Sequence, residues 1–265
     1  MKKILIFSTA YPPFVGGAEI AIKEITNRIS DIEFDMVTLR FDRNLPKVEK
    51  IGNVTVYRIG FTTNNPGMND LVKFPLMINK YLFPFTSCLK ANKLHKANHY
   101  DGIWAMMAAY AGFGASFFKM RHPDVPYLLT LQEGDPIEYI KKRVRFIYPL
   151  FKKIFTSANQ IQVISNYLGG FAKEMGFRGE PVLVPNAVNY AHFSQNYPDQ
   201  EIREIKNKLG KSPDDVFVIT ASRLVLKNAA DDVIRALKFL PERVKFIVFG
   251  TGPDQAMLEN LIKEL

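Results

Sequence analysis

The sequence predicts an α/β chain with one complete domain, a mostly parallel sheet covered by helices on both faces, and the beginning of a second domain of the same kind. Two observations predict it. Through residues 1–189, short apolar or β-branched runs alternate with longer amphipathic ones, and strands that read as continuous apolar runs belong to sheets covered on both sides. After a polar stretch at residues 190–200 the same alternation restarts.

The first strand is expected at Lys3–Thr9, where an apolar run too short for a signal peptide ends in Ser8-Thr9. Further strands are expected at Phe34–Leu39, Val54–Ile59, Asp101–Ala105, Val125–Leu131, Gln160–Ser165 and Val182–Val184. Helical periodicity lies between them at Ala18–Ser30, Asp70–His99, Met107–Arg121, Pro136–Ala158 and Asn166–Met175. Pro75 and Pro84 should break the second of these, since proline removes a helix donor and clashes with the preceding turn. The second domain, residues 190–265, opens with a linker and a charged helix at Glu201–Leu209. It continues as strand Val216–Ala221, helix Ala229–Leu240, strand Val244–Phe249 and helix Gln255–Leu265. Two parallel strands are few for an open α/β domain, so the chain is expected to be the front part of a longer product and inactive by itself.

Composition narrows the class. The chain has 265 residues, 47% hydrophobic and 23% charged, which is ordinary for a globular protein. Its single cysteine, Cys88, cannot form an internal disulfide, which points to a reducing cytoplasm. The longest apolar stretch, Ile103–Phe118, falls short of a membrane span. The net charge of +9 is unevenly placed: from Asp199 onward there are 11 basic and 11 acidic residues, leaving 24 basic against 15 acidic before it. Such asymmetry suggests that the first domain meets an anionic partner.

Several groups could carry chemistry. Gly16 and Gly17 stand at a helix start, where backbone N–H groups and the helix dipole favour an anion, although a plain turn needing positive φ explains them equally well. The spacing Gly-x-Gly-x-x-Gly is absent there, which argues against a dehydrogenase. Arg223 and Lys227 follow the strand Val216–Ala221, placing two cations at the carboxyl edge of a parallel sheet. There they could clamp a diphosphate and offset leaving-group charge. Asp231 and Asp232, in the first turn of the next helix, would repel an anion, so the cations must hold it more than the helix dipole does. Gly250-Thr251-Gly252 closes the next strand and could admit a nucleotide to the backbone, or simply make a tight turn.

The cluster Gln132-Glu133-Gly134-Asp135 ends the strand Val125–Leu131, where Glu133 or Asp135 could contact sugar hydroxyls or cap a helix. In Lys141–Lys153 six cations, Lys141, Lys142, Arg143 and Arg145 among them, interleave with aromatic and aliphatic residues. This is the pattern of segments that lie on anionic membranes, and equally of a solvated helix face. Metal chemistry is not expected. No Asp-x-Asp occurs, and His95 and His99, though at i,i+4, lack a zincin glutamate and read as helix surface. Trp104 and Cys88 read as core.

Taken together, five segments in order resemble glycosyltransferase family 4, the retaining enzymes of the GT-B fold. They are Tyr11–Glu19 (Pro-Pro-x-x-Gly-Gly-x-Glu), Val163–Asn166, Pro185–Asn189, Ala221–Asn228 (similar to Gly-Arg-Leu-x-x-x-Lys-Gly) and Phe249–Pro253. The resemblance implies a UDP- or GDP-sugar donor bound mainly by the second domain, with Arg223 and Lys227 on its diphosphate, Gly250, Thr251 and Gly252 beside it, and Gly16 and Gly17 approaching from the first domain. It implies a glycan or lipid-linked acceptor on the first domain, often at a membrane surface, with Glu19, Gln132, Glu133, Asp135 and Asn186 as candidate contacts. No cofactor is implied. Three departures stand out. Gln132 replaces a frequent histidine, Asn228-Ala229 stand where Lys-Gly is common, and the family's Glu-x7-Glu would fall after Leu265. Two other readings are an epimerase or phosphorylase on the same fold, and a basic nucleic-acid-binding domain. The latter ranks low, because the cations lie on a helix rather than among strand aromatics.

Overall fold

Why the apolar runs become strands is clear from β1 (Lys2–Phe7): Leu5, Ile6 and Phe7 are completely buried, with successive side chains entering opposite faces of a sheet. The computed structural model describes residues 1–265, which divide into two compact units, Met1–Ala187 and Val188–Leu265. After β1 the first unit runs α1 (Gly17–Thr26), β2 (Ile32–Leu39), β3 (Val48–Ile51), β4 (Val54–Ile59), α2 (Leu76–Asn98), β5 (Gly102–Met106) and α3 (Phe113–Arg121). It ends with β6 (Tyr127–Leu131), α4 (Ile137–Val144), α5 (Tyr148–Thr156), β7 (Gln160–Val163), α6 (Asn166–Glu174) and β8 (Val182–Leu183). The strands form one sheet in the order β3-β4-β2-β1-β5-β6-β7-β8, parallel except for β3 against β4.

On one face Leu5, Phe7, Leu129 and Ile161 pack against Phe83 of α2, Phe118 of α3, Phe155 of α5 and Phe171 of α6. On the other, Ile6, Met36, Val56 and Trp104 pack against Ala18 and Ile22 of α1. Trp104 also donates its indole N–H to Thr130 Oγ1 at 2.9 Å, so its one polar atom is satisfied inside the core. Cys88 is half-buried.

Four expectations need correction. Strand β3 was not foreseen. Helix α2 runs straight through Pro84, which is buried within it, so packing outweighs the proline penalty of about 3 kcal/mol. The expected single helix over Pro136–Ala158 is two, α4 and α5, joined by a 3₁₀ turn at Arg145–Ile147. Of the two histidines read as helix surface, His99 is exposed but His95 is half-buried: its Nδ1 accepts the Tyr100 N–H at 3.0 Å, and its ring stands 4.7 Å from that of His122 and 5.4 Å from that of Phe118.

The second unit contains α7 (Tyr190–Phe193), inside the expected linker, then α8 (Asp199–Lys208), β9 (Val216–Ala221), α9 (Ala230–Leu237), β10 (Val244–Phe249) and α10 (Gln255–Glu264). Strands β9 and β10 pair in parallel from Val216↔Val244 to Ala221↔Phe249. Leu224, Ala230, Ile234, Leu258 and Leu261 form its core. The turn into α9 is unusual. Ala229 sits at φ +53°, ψ +33°, a left-handed conformation that costs a residue with a Cβ about 1–2 kcal/mol. Replacing Ala229 with glycine is therefore expected to raise unfolding free energy by about 0.5–1 kcal/mol. Urea denaturation of the two proteins checks this; an unchanged or lowered midpoint would show that the turn carries no strain.

Candidate functional site

The sheet order sets where a site can form. The chain leaves β1 toward β2 on one side and leaves β5 toward β6 on the other, so the direction in which strands are added reverses between the neighbours β1 and β5. At such a switch point the loops after the two strands diverge and leave a crevice at the carboxyl ends, the common ligand site of open α/β sheets. The loop after β1 carries Gly16 and Gly17, and the loop after β5 is the irregular segment Met107–Gly112.

The loop after β1 is fixed from below. Arg58 of β4 has a side chain only 1% exposed, ion-paired with Glu49 of β3, and its Nη2 donates to the Pro12 carbonyl at 2.6 Å. Burial pulls the guanidinium pKa down, and Glu49 offsets part of that. Sequence reading missed Arg58; the only signal was a cation inside the otherwise uncharged run Val54–Ile59. At the helix start Glu19 accepts the Gly16 N–H at 2.6 Å, so Glu19 acts as a helix-terminal acceptor. Gly16 is in extended backbone, and neither it nor Gly17 has positive φ. A Cβ at Gly17 would meet nothing within 4 Å, which leaves the N-terminus of α1 open to an incoming group.

The loop after β5 is strained: Met107 and Tyr110 have φ of +70° and +53°. Glu133, just past β6, holds it. Its Oε1 accepts the Ala108 N–H at 2.6 Å, while Oε2 is shut off from solvent without a hydrogen-bond partner, although the residue as a whole is only partly buried. Desolvation pushes the Glu133 pKa up to about 7, helped by nearby Asp135 and opposed by the N–H groups of Ala108, Gln132 and Glu133. Gln132 points the other way and donates to Asn186 Oδ1 at 3.0 Å, so two candidate contact residues are brought together beyond β6 and β8. Asp135 is exposed beside them.

In the second unit the loops after β9 and β10 form one hydrogen-bonded piece. Ser222 donates its N–H to the Phe249 carbonyl at 3.1 Å and Leu224 to the Thr251 carbonyl at 3.0 Å. A Cβ on Gly250 or Gly252 would lie 2.0 Å from the carbonyl oxygen of Ser222 or Leu224, respectively. Glycine is required there by the neighbouring loop, a reason the sequence could not supply. The arrangement places Arg223 and Lys227, both exposed, on the connection beside Gly250–Gly252. The Arg223 carbonyl accepts from Asn228 Nδ2 at 2.6 Å, and Lys227 lies in the 3₁₀ turn Leu226–Asn228. Asp231 and Asp232 occupy the first turn of α9.

The basic stretch separates into parts. Lys141 is ion-paired with Glu174 (2.6 Å) and Glu138 (3.3 Å), which offset its charge. Arg143 donates to the Tyr110 hydroxyl at 2.9 Å and lies over Tyr139, and Arg145 lies over the ring of Phe146, which is 84% exposed. Lys142 is exposed. No helix is long and apolar enough to cross a membrane.

No family model matches the chain. An alpha-monoglucosyldiacylglycerol synthase of Acholeplasma laidlawii is 29% identical over 277 residues, covering 98% of this chain and 66% of its own length. Among solved structures, sucrose-phosphate synthase from Thermosynechococcus elongatus superimposes with a TM-score of 0.73 at 17% identity, covering all of this chain and 68% of its own. Anabaena HepE in complex with UDP and glucose gives 0.67 at 19%, with 100% and 65% covered. The chain thus spans about two thirds of the length of the relatives it matches. The GT-B type of fold and the resemblance to family 4 glycosyltransferases, expected from the motifs, are both borne out.

Because the folded pKa of Glu133 lies above its unfolded value, its contribution to stability is full below about pH 4.5 and is lost as pH rises through about 7. Glu133→Gln keeps the acceptor for Ala108 and removes the titration. Relative to wild type, the variant should therefore gain about 3 kcal/mol between pH 4.5 and 8. Paired urea titrations at the two pH values measure the difference; an equal gap at both would place the Glu133 pKa in the ordinary range.

Proposed function

We propose that the whole protein transfers a hexosyl group from a UDP- or GDP-sugar to a glycan or lipid-linked acceptor in the assembly of cell-surface polysaccharide. The observation that carries this reading is the joined pair of loops after β9 and β10, which sets Arg223 and Lys227 beside Gly250–Gly252 at the carboxyl edge of a parallel sheet. When a glycosidic bond to a nucleoside diphosphate breaks, negative charge grows on the departing phosphate, and two fixed cations lower the energy of that state more than of the starting one. The neighbours support the donor class: HepE was solved with UDP and glucose. The Acholeplasma relative, by its name a lipid glucosylating enzyme, favours a lipid-linked acceptor.

In this reading the acceptor belongs to the first unit, where Gln132, Asn186 and the opening beside Gly17 all lie past the carboxyl ends of its strands. Glu19 and Glu133 then act through the loops they hold. The reaction needs no metal or other cofactor, since cationic side chains do the work a divalent ion would otherwise do. The protein works in the cytoplasm, peripherally at the membrane, and does not bind nucleic acid.

In the whole protein, Arg223→Ala or Lys227→Ala should lower turnover at least about 100-fold, the scale of losing one fixed charge-stabilising donor. The same radiolabelled-sugar assay should be nearly unaffected by EDTA. Wild-type turnover in either variant, or loss in EDTA restored by Mg²⁺, would sink this mechanism.

The membrane contact is tested separately. Each cation near an anionic bilayer contributes roughly 1 kcal/mol, screened within about 10 Å at 0.1 M salt. The chain should sediment with anionic vesicles at low salt and be released at high salt. Replacing Lys142, Arg143 and Arg145 with serine should abolish sedimentation; binding that survives the triple change moves the contact elsewhere.

A further inference from the structure

Helix α2 carries two adjoining apolar features. Met77, Tyr81, Phe85 and Leu89 recur every fourth residue and so form one row along the helix, and all four are exposed, Leu89 to 71%. One step round the helix, Leu82 and Thr86 line a groove of about 300 Å³ together with Leu39, Gly60, Phe61 and Asn79. Leu39 ends β2 and Gly60 follows β4, so the groove lies at the carboxyl edge of the sheet, the same edge as the switch point. Its volume is at the lower end of the range for small-molecule sites.

The walls are hydrocarbon for a structural reason. Asn79 is buried, but its oxygen accepts the Phe61 N–H and its Nδ2 donates to the Phe61 carbonyl, both at 2.7 Å. The Thr86 hydroxyl is likewise turned to the Leu82 carbonyl of its own helix, at 3.1 Å. At Gly60, with φ +103°, a Cβ would stand 2.7 Å from Asn79 Oδ1, so glycine lets the wall close. The polar groups of the lining are thus engaged with backbone, and the space suits a group that offers no hydrogen bonds. The charge on the helix has one sign: α2 contains Lys80, Lys90, Lys93 and Lys96 and no Asp or Glu. A cationic helix with an exposed apolar row complements an anionic lipid surface.

We infer that this groove takes one hydrocarbon chain of the lipid-linked acceptor, entering beside the exposed row of α2. The inference rests on the lipid-acceptor reading above and adds a site to it.

The test is a fluorescence titration of the chain with cis-parinaric acid, a fluorescent long-chain fatty acid, without vesicles or donor, and its displacement by saturated fatty acids of six, eight and ten carbons. Wild type should bind saturably, with affinity rising about fourfold per methylene. Thr86→Trp, which fills the groove, should weaken parinarate binding at least about tenfold at an unchanged circular dichroism spectrum. Leu82→Asn, a polar side chain of similar size at a half-exposed position, should do the same and serves if the tryptophan variant does not fold. Leu89→Ser, on the outer row, should leave the affinity unchanged. No saturable binding, no dependence on chain length, or wild-type affinity in both groove variants overturns the proposal. Since the titration contains no donor, such a failure leaves the transfer assay standing. Loss of transfer with the chain-length series intact refutes the glycosyltransferase reading alone.

Discussion

The first unit depends on one topological constraint: β1 and β5 are neighbours, and the chain leaves β1 toward β2 and β5 toward β6, on opposite sides. Loops that diverge cannot support each other, so each has to be fixed by something else. Here the supports are ionisable side chains from neighbouring segments, withdrawn from solvent. Arg58, from β4, holds the carbonyl of Pro12 in the loop after β1. Glu133, just past β6, holds the N–H of Ala108 in the loop after β5. Both are costly to bury, and each is only partly compensated, Arg58 by Glu49 and Glu133 by backbone donors. The strained dihedrals of Met107 and Tyr110 persist because Glu133 grips the chain between them.

What the sequence disclosed follows from the same physics. Central strands are rich in apolar and β-branched residues, so β1, β2, β4, β5, β6 and β7 could be read within a few residues. Strand β3 could not, because an edge strand of sequence Val-Glu-Lys-Ile shows no apolar run. Pro84 misled for the opposite reason: the local rule is sound, but the side chains around it, with Phe83 completely buried, bind the helix to the sheet more strongly than one missing hydrogen bond weakens it. The candidate site was legible as a set of residue types at strand ends. Its pairings were not, since Gln132 with Asn186 and Glu133 with Ala108 join positions 54 and 25 residues apart.

The basic stretch shows how composition and structure part. Six cations in thirteen residues suggest a uniform face, yet Lys141 is turned to two carboxylates and Arg143 to a tyrosine hydroxyl. Arg143 reaches Tyr110, whose ring packs edge-on against Tyr81 of α2 at 5.9 Å. Through that contact α4, the strained loop and the exposed row of α2 form one continuous surface. The excess positive charge of the first unit is therefore organised around an apolar strip as well as spread over a helix.

Glycine at a strand-to-helix junction is often taken as a phosphate signature, and the two units show why the inference needs a structure. At Gly17 the space where a Cβ would stand is empty, so the missing side chain leaves a helix N-terminus open. At Gly250 and Gly252 that space is filled by the carbonyls of the adjoining loop, so the missing side chains serve the fold. The same residue type at comparable positions thus does different work. In the second unit the helix that follows β9 begins with Asp231 and Asp232, whose charges oppose an anion at its N-terminus. The dipole of that helix is therefore offset where it starts. In the function proposed above, the attraction for a diphosphate falls to Arg223 and Lys227, the two exposed cations on the loop that the glycines allow to close.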